Sequence, residues 1–188
     1  MIPSAEECYK YMERYGMLEN IRAHSIVVEK IANLIAHGLR NAGEDISLEI
    51  VTAGALMHDI GKTLCLNTND DHAAVGKEIC LQQNLDEISN IVEEHVTLKD
   101  YDPSRAICEK EIIYYADKRV NHDVVVSLEE RLKYIFKRYG RNKEYLYPLI
   151  KENFDRCKEV EKKLFAKLNF RPEELAGMIN NNTMTSRL

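Results

Sequence analysis

His58-Asp59-Ile60-Gly61-Lys62 closes an apolar stretch of helical period that begins near Ser47, and it sets an imidazole directly beside a carboxylate. Neighbouring residues of a helix point about 100° apart. Both side chains can therefore reach one point only if it lies over the edge between their faces, with other helices packed close. Ala53, Gly54 and Ala55, one turn earlier, are small enough to allow that approach. Outward from this stretch, His24 lies upstream and His72, His95 and Asp117 lie downstream, each where a helical pattern carries it inward. Neutral imidazole and carboxylate hold divalent first-row metals while leaving positions open for water and substrate. A purely structural role would bury four imidazoles and two carboxylates without compensation, so the six are read as ligands. His24, His58, Asp59 and Asp117 make one site. His72 and His95 add a second, so two metals bridged by Asp59 are expected, about 3.5–4 Å apart as in sites for in-line displacement at phosphorus.

The rest of the chain repeats the helical period. Ser4 and Glu7 form a capping box that opens a first helix closed by Gly16. A second helix over about Asn20 to Ala36 carries Ile21, His24, Val28, Ile31 and Ile35 on one face, and a third runs from Ser47 to Ile60 with Gly61 as its stop. Asp71 caps a helix starting at His72; Ile88, Ile91, Val92 and His95 share the next; and Pro103 starts the segment bearing Ile113, Asp117 and Val120. Beyond it, Ser127 and Glu130 cap a helix ending at Gly140, a long helix covers Pro148 to Leu168 with Leu149 on its apolar face, and Pro172 opens a short last one. Asn180 onward reads as a frayed tail. No strand pattern, repeat or linker is visible. The expectation is an all-α single domain over residues 1–188, with a metal-binding core at 20–125 and a helical extension at 127–180 that supports rather than reacts.

Composition is that of an ordinary globular protein: 188 residues, 45% hydrophobic and 30% charged. A net charge of −5 gives no global pull toward nucleic acid or anionic membrane, so phosphate recognition must be local. The expected partner is a small phosphorylated substrate, with a nucleotide among the candidates; no nucleic acid and no membrane are expected, and a homo-oligomer is left open. The five cysteines are odd in number and contain no Cys-x-x-Cys pair, which points to reduced thiols. With no basic-then-apolar leader and no run of ~20 apolar residues, a cytoplasmic location is expected.

Three cations flank the ligands: Arg22, Lys62 and Lys118. Each is a candidate for binding phosphate oxygens, with Lys62 the best placed, three residues after Asp59. Asp59 and Lys62 are the candidate catalytic pair. His37, about 220° around its helix from His24, belongs on the surface, as do Asp100 and Asp102 in loops; His122 reads as a solvated loop residue, with a place at the mouth of the cleft as the alternative.

Across about residues 20 to 125 the chain resembles the HD-domain superfamily of metal-dependent phosphohydrolases, in the branch whose signature includes His-Asp-Ile-Gly. The resemblance implies an all-helical fold and divalent metals held through His24, His58, Asp59 and Asp117, with two metals where the extra histidines, here His72 and His95, are present. Arg22-Ala23-His24-Ser25, His72 with Gly76, His95, and Tyr115-Ala116-Asp117 look most similar to bacterial hydrolases that cleave diadenosine tetraphosphate symmetrically. Glu94-His95-Val96-Thr97 lacks the doubled histidine and the Gly-Tyr-Pro of the cyclic-di-GMP phosphodiesterases, and Lys62-Thr63 replaces the Glu-Asp of the ppGpp hydrolases. The expected cofactors are two divalent ions, iron, manganese or a similar first-row metal. The expected activity is hydrolysis of a phosphate ester or anhydride; the alternatives are a di-iron oxygenase on the same ligands and a non-catalytic sensor of nucleotide or metal.

Overall fold

Residues 1–139 and 144–185 are described by a computed structural model. Helix α1 (Ala5–Arg14) opens with the reciprocal bonds of Ser4 and Glu7 and is followed by Gly16 at a φ of +61°. Helix α2 (Glu19–Asn41) runs past Ala36 because Leu39, fully buried, continues its apolar stripe. Helix α3 (Leu48–Met57) is capped by the Ser47 hydroxyl and buries Val51 and every residue from Ala53 to Met57, the pattern of a helix enclosed on all sides. Gly54 is needed there, since a Cβ would lie 2.7 Å from Ile113 Cδ1 and 3.0 Å from Ile91 Cγ2.

Helix α3 ends at Met57, not at Ile60, and the chain continues through i to i+3 turns in which Ile60 N donates to Met57 O and Lys62 N to Asp59 O. Gly61 is not the left-handed stop that the sequence suggests; the positive-φ glycines among the described residues are Gly16 and Gly43. What Gly61 provides is space. A Cβ on it would meet the His72 carbonyl oxygen well inside 3.0 Å and the Gly76 nitrogen at 2.7 Å. The His-Asp turn thus lies directly on the backbone of helix α4 (His72–Gln82), which Asp71 caps through the Ala73 N–H.

Helix α5 (Asp86–Glu94) ends just before His95, and helix α6 begins at Glu109 rather than near Pro103. The Asp102 carboxylate accepts from the Ser104 N–H and hydroxyl, closing a local turn at Pro103 that does not continue into a helix. After α6 (Glu109–Lys118) a two-residue antiparallel hairpin pairs Val120–Asn121 (β1) with Val124–Val125 (β2), structure the sequence pattern does not reveal. Helices α7 (Leu128–Tyr139), α8 (Tyr147–Phe165) and α9 (Leu175–Thr185) complete an all-helical architecture. The expected end of α7 at Gly140 lies outside the described residues. Leu149 is 60% exposed: it precedes Phe154 by five residues and falls about 140° from the stripe of Phe154, Cys157, Val160 and Leu164. Asn180 does not begin a frayed tail; α9 continues to Thr185, anchored by Leu175 and Ile179 in the core.

Two apolar clusters share α3. One joins α2, α3, α6, α8 and α9 through residues such as Ile35, Val51, Tyr115, Leu164 and Ile179. The other joins α1, α3, α4 and α5 through Met12, Leu56, Ile60, Ile79 and Val92. The end of α3 therefore delivers His58 and Asp59 to the boundary between them. Helix α8 is tied to α6 by Lys163, which donates to both oxygens of Glu111, and by Glu161, which accepts from the Tyr115 hydroxyl. Cys8, Cys80 and Cys157 are buried free thiols. No helix among the described residues is long and apolar enough to cross a membrane.

Candidate metal centre

The six residues singled out in sequence come from five separate segments and meet at one place. His24 Nε2 lies 3.0 Å from Asp117 Oδ1, and His58 Nε2 lies 3.8 Å from that same oxygen and 3.5 Å from Asp59 Oδ2. On the other side of Asp59, Oδ1 is 3.5 Å from His72 Nε2 and 3.4 Å from His95 Nε2, and these two nitrogens are 3.3 Å apart. His24, His58 and Asp59 form one group that could hold a metal ion, and Asp59, His72 and His95 form another. Asp59 belongs to both, one carboxylate oxygen facing each.

Proton placement decides what this arrangement can hold. A backbone carbonyl only accepts, so His24 Nδ1 donates to His122 O at 2.8 Å, His58 Nδ1 to Ala55 O at 2.6 Å, and His95 Nδ1 to Val92 O at 2.6 Å. With that proton fixed outward, a neutral ring turns an unprotonated Nε2 toward the centre. There the ring nitrogens meet carboxylate oxygens at 3.0 to 3.8 Å. His58 Nε2 and Asp59 Oδ1 are buried without any hydrogen-bond partner. Two ligands each ~2.1 Å from one ion lie ~3.0–3.4 Å apart at angles between square and tetrahedral; the separations run from 3.0 to 3.5 Å, apart from the 3.8 Å between His58 and Asp117. The residues fit a metal.

Charge is arranged accordingly. Burial alone would raise the Asp59 carboxyl, but His58 and Lys62 beside it outweigh that and hold it well below the usual carboxylate range. Asp117 behaves likewise: burial is outweighed by Lys118, the bond from His24 and Arg131. Burial pushes His95 down despite the Asp59 carboxylate beside it, and burial with the neighbouring His95 takes His72 down to about 4. Both carboxylates are thus charged and both of these imidazoles neutral near pH 7, the states that bind metal, whereas at His58 burial is outweighed by Asp59 and Asp117, which raise it and favour a proton that a metal would displace.

A cavity of about 330 Å³ opens onto the centre, bounded by Asp59, His72, His95 and Asp117 on one side and by Ile135 of α7 with Leu146, Ile150 and Phe154 on the other. Helices α7 and α8 therefore form a wall of the site, contrary to the expectation that residues beyond 127 only support it. Arg131 of α7 brings Nη2 to 3.8 Å from Asp117 Oδ1, with its side chain 13% exposed. Nothing in the sequence points to Arg131 beyond the capping box that starts α7. Which face of that helix turns inward is set by its packing on α8.

The three flanking cations separate. Lys62 Nζ donates to Asp59 Oδ2 at 2.7 Å and borders the cavity. Lys118 also borders it, but its buried ammonium donates to the His95 carbonyl and to Asp117 Oδ2, and lies 4.2 Å over the Tyr114 ring. A buried cation must be paired, and Lys118 is paired with the His95 carbonyl and the Asp117 carboxylate, which it holds in place. Arg22 is not among the residues lining either cavity at the centre, and its charge acts on Tyr9 of α1. Two positions on a helix are about 200° apart, which turns Arg22 away from the side of His24. His37 is exposed as expected, whereas His122, read as a solvated loop residue, supplies the carbonyl that orients His24.

The HD domain matches residues 21–121, the span that carries all six of these side chains. The chain belongs to the HD superfamily of metal-dependent phosphohydrolases. A tRNA (cytidine(56)-2'-O)-methyltransferase of Picrophilus torridus is 31% identical over 69% of this chain and 40% of its own length. An uncharacterized protein of Methanocaldococcus jannaschii is 29% identical over 66% of this chain and 80% of its own. A ribonuclease Y of a Sulfurovum species is 30% identical over 67% of this chain and 24% of its own. The chain thus spans less than half of the methyltransferase and of the ribonuclease. No solved structure matches it.

Proposed function

We propose that this HD protein hydrolyses a phosphate ester or anhydride of a small, nucleotide-like substrate at a pair of divalent metals. The observation that carries the reading is the pair of buried, unpartnered atoms, His58 Nε2 and Asp59 Oδ1, set among imidazole nitrogens and carboxylate oxygens that suit a divalent cation. His24, His58, Asp59 and Asp117 would hold one ion, and Asp59, His72 and His95 the other. When bound, such ions lower the pKa of a water and polarise the phosphoryl oxygen.

The chain's own residues supply the rest. Arg131 and Lys62 reach the cavity beside the carboxylates, where a guanidinium or ammonium would orient phosphate oxygens and balance charge developing on them. The apolar wall of Ile135, Ile150 and Phe154 suits an uncharged nucleobase or similar group and keeps water from the reacting atoms. A cavity of about 330 Å³ and a net charge of −5 favour a small molecule over a polynucleotide. Because two relatives carry names of RNA-acting enzymes, short RNA belongs in the test.

Protein purified without chelator should contain close to two first-row metal ions per chain by elemental analysis. With Mn²⁺ or Co²⁺ it should release phosphate or a shortened nucleotide from a screen of nucleotides, phosphomonoesters and short RNAs, and chelation should abolish this. Dioxygen uptake by a reduced di-iron form, with no phosphate–oxygen bond broken in any substrate, would replace hydrolysis by the oxygenase reading.

A further inference from the structure

The β1–β2 hairpin turns through His122 and Asp123, and His122 stands at a φ of +55°. A two-residue hairpin turn requires a positive φ at its first position, where glycine or asparagine is the usual residue. An imidazole there carries a steric cost that glycine would not. Such a residue persists only where its surroundings hold it, and His122 is held from two sides. Its carbonyl accepts from Nδ1 of His24 at 2.8 Å, and its ring packs edge to face on Tyr134 of α7, with centroids 5.3 Å apart and planes at 80°.

Tyr134 is itself fixed. Its hydroxyl accepts from Arg138 Nη1 at 2.9 Å and lies 3.2 Å from His122 Nε2, and the Arg131 guanidinium lies 5.7 Å over its ring. Arg131 in turn donates to Asn121 Oδ1 at 3.0 Å. Arg131, Tyr134 and Arg138 share one face of α7, so that face grips the hairpin tip at both Asn121 and His122. A second cavity at the centre, of about 100 Å³, is bordered by His24, Asp59, His122 and Tyr134, which sets the tip between α7 and the ligands. The HD match covers residues 21–121, so His122 and α7 lie beyond it.

We infer that His122 and Tyr134 are positioning residues for the first metal group, His24, His58 and Asp59. Tyr134 holds the His122 ring, the ring holds the tip in its left-handed form, and that form turns the His122 carbonyl onto His24 Nδ1. A His24 whose Nδ1 proton is so fixed presents Nε2 to the centre. When the tip leaves the left-handed region the carbonyl turns away, Nδ1 loses its acceptor, and the other tautomer becomes accessible to the ring. Both residues act through His24, and neither is a ligand. This rests on the reading of the six side chains as metal ligands, and it adds an element outside the HD match to what sets metal affinity.

Isothermal titration calorimetry of the chelator-stripped full chain with Mn²⁺ tests this. His24→Ala shows which binding step belongs to the first group. His122→Val, whose β-branched side chain is strongly disfavoured at positive φ, should weaken that step roughly 10–100-fold, the usual effect of removing the hydrogen-bond partner of a ligand histidine. His122→Gly keeps the backbone form without a side chain and should stay within about twofold of the parent. Tyr134→Leu should weaken the step by an intermediate factor, and should have no further effect on top of His122→Gly, which needs no anchor. His122 is exposed and Tyr134 half-buried, so circular dichroism melts of these variants should lie near that of the parent. Parent-like Mn²⁺ binding in His122→Val, or a loss in His122→Gly as large as in His122→Val, would overturn the role of the left-handed tip. An equal loss from Tyr134→Leu with and without His122→Gly would overturn that of Tyr134. A parent chain that takes up no Mn²⁺ would instead sink the metal centre itself, and the positioning role with it.

Discussion

Gly61→Ala puts the packing of the His-Asp turn to a quantitative test. The added Cβ would meet three backbone atoms of α4: the His72 carbonyl oxygen, Gly76 N at 2.7 Å and Gly76 Cα at 3.2 Å. No rotamer change relieves a clash with backbone, so the turn and α4 must move apart. Overpacking of a well-filled interior costs ~1–3 kcal/mol, and backbone on backbone belongs at the upper end. Because Gly61 does not use a left-handed φ, alanine also gains ~0.4–1 kcal/mol by restricting the unfolded chain. The net loss is ~2 kcal/mol, which lowers the melting temperature of a chain this size by ~4–8 °C. Far-UV circular dichroism melts of chelator-treated protein isolate this from any loss of metal. Gly177→Ala is the control: beyond its own turn of α9 none of the described residues comes within 4 Å of its Cβ position, so it should be neutral or stabilise by up to ~1 kcal/mol. A Gly61→Ala protein that melts with the parent or above it would refute the packing argument. The clash also falls on the residue that begins α4, so Gly61→Ala should lose metal from the Asp59, His72 and His95 group before the other.

Three further outcomes are expected. His72→Ala and His95→Ala should each lower metal content by about one ion per chain in elemental analysis with the fold intact, and Asp59→Ala should lower it more, since Asp59 faces both groups; unchanged content in the histidine variants would show a single-metal site. Lys62→Ala should lower kcat/KM against the phosphorylated substrate while retaining its metal, because all six candidate ligands remain; loss of metal would instead make Lys62 a support for Asp59. In the metal-free protein His72 takes up a proton only at about 4, against 6.5 for the ordinary group. The unfolded chain therefore binds that proton first, and stability falls as pH drops from 6.5 to 4, by up to ~1.4 kcal/mol per unit. Denaturant titrations across that window should show a shallower slope in His72→Ala, and an unaltered slope would mean that the ring is not held neutral.

The sequence by itself determined the helical class and the six converging side chains, because helical period assigns each residue to a face and burial of so many unpaired polar groups needs a common ligand. Capping boxes at Ser4 and Ser127 and the cap at Asp71 fixed three helix starts for the same local reason. What it could not show is anything that depends on how distant elements meet. Arg22 and Arg131 are both arginines near candidate ligands, one in sequence and one in space, and only the packing of α7 against α8 puts the second beside Asp117. Lys118 follows Asp117 directly, yet the fold buries its ammonium against protein acceptors. Gly61 reads as a helix stop and serves as a point of backbone contact. Tertiary structure decided these cases because position on a helix is set by a few residues of local chain, whereas the partner that faces it comes from segments tens of residues away.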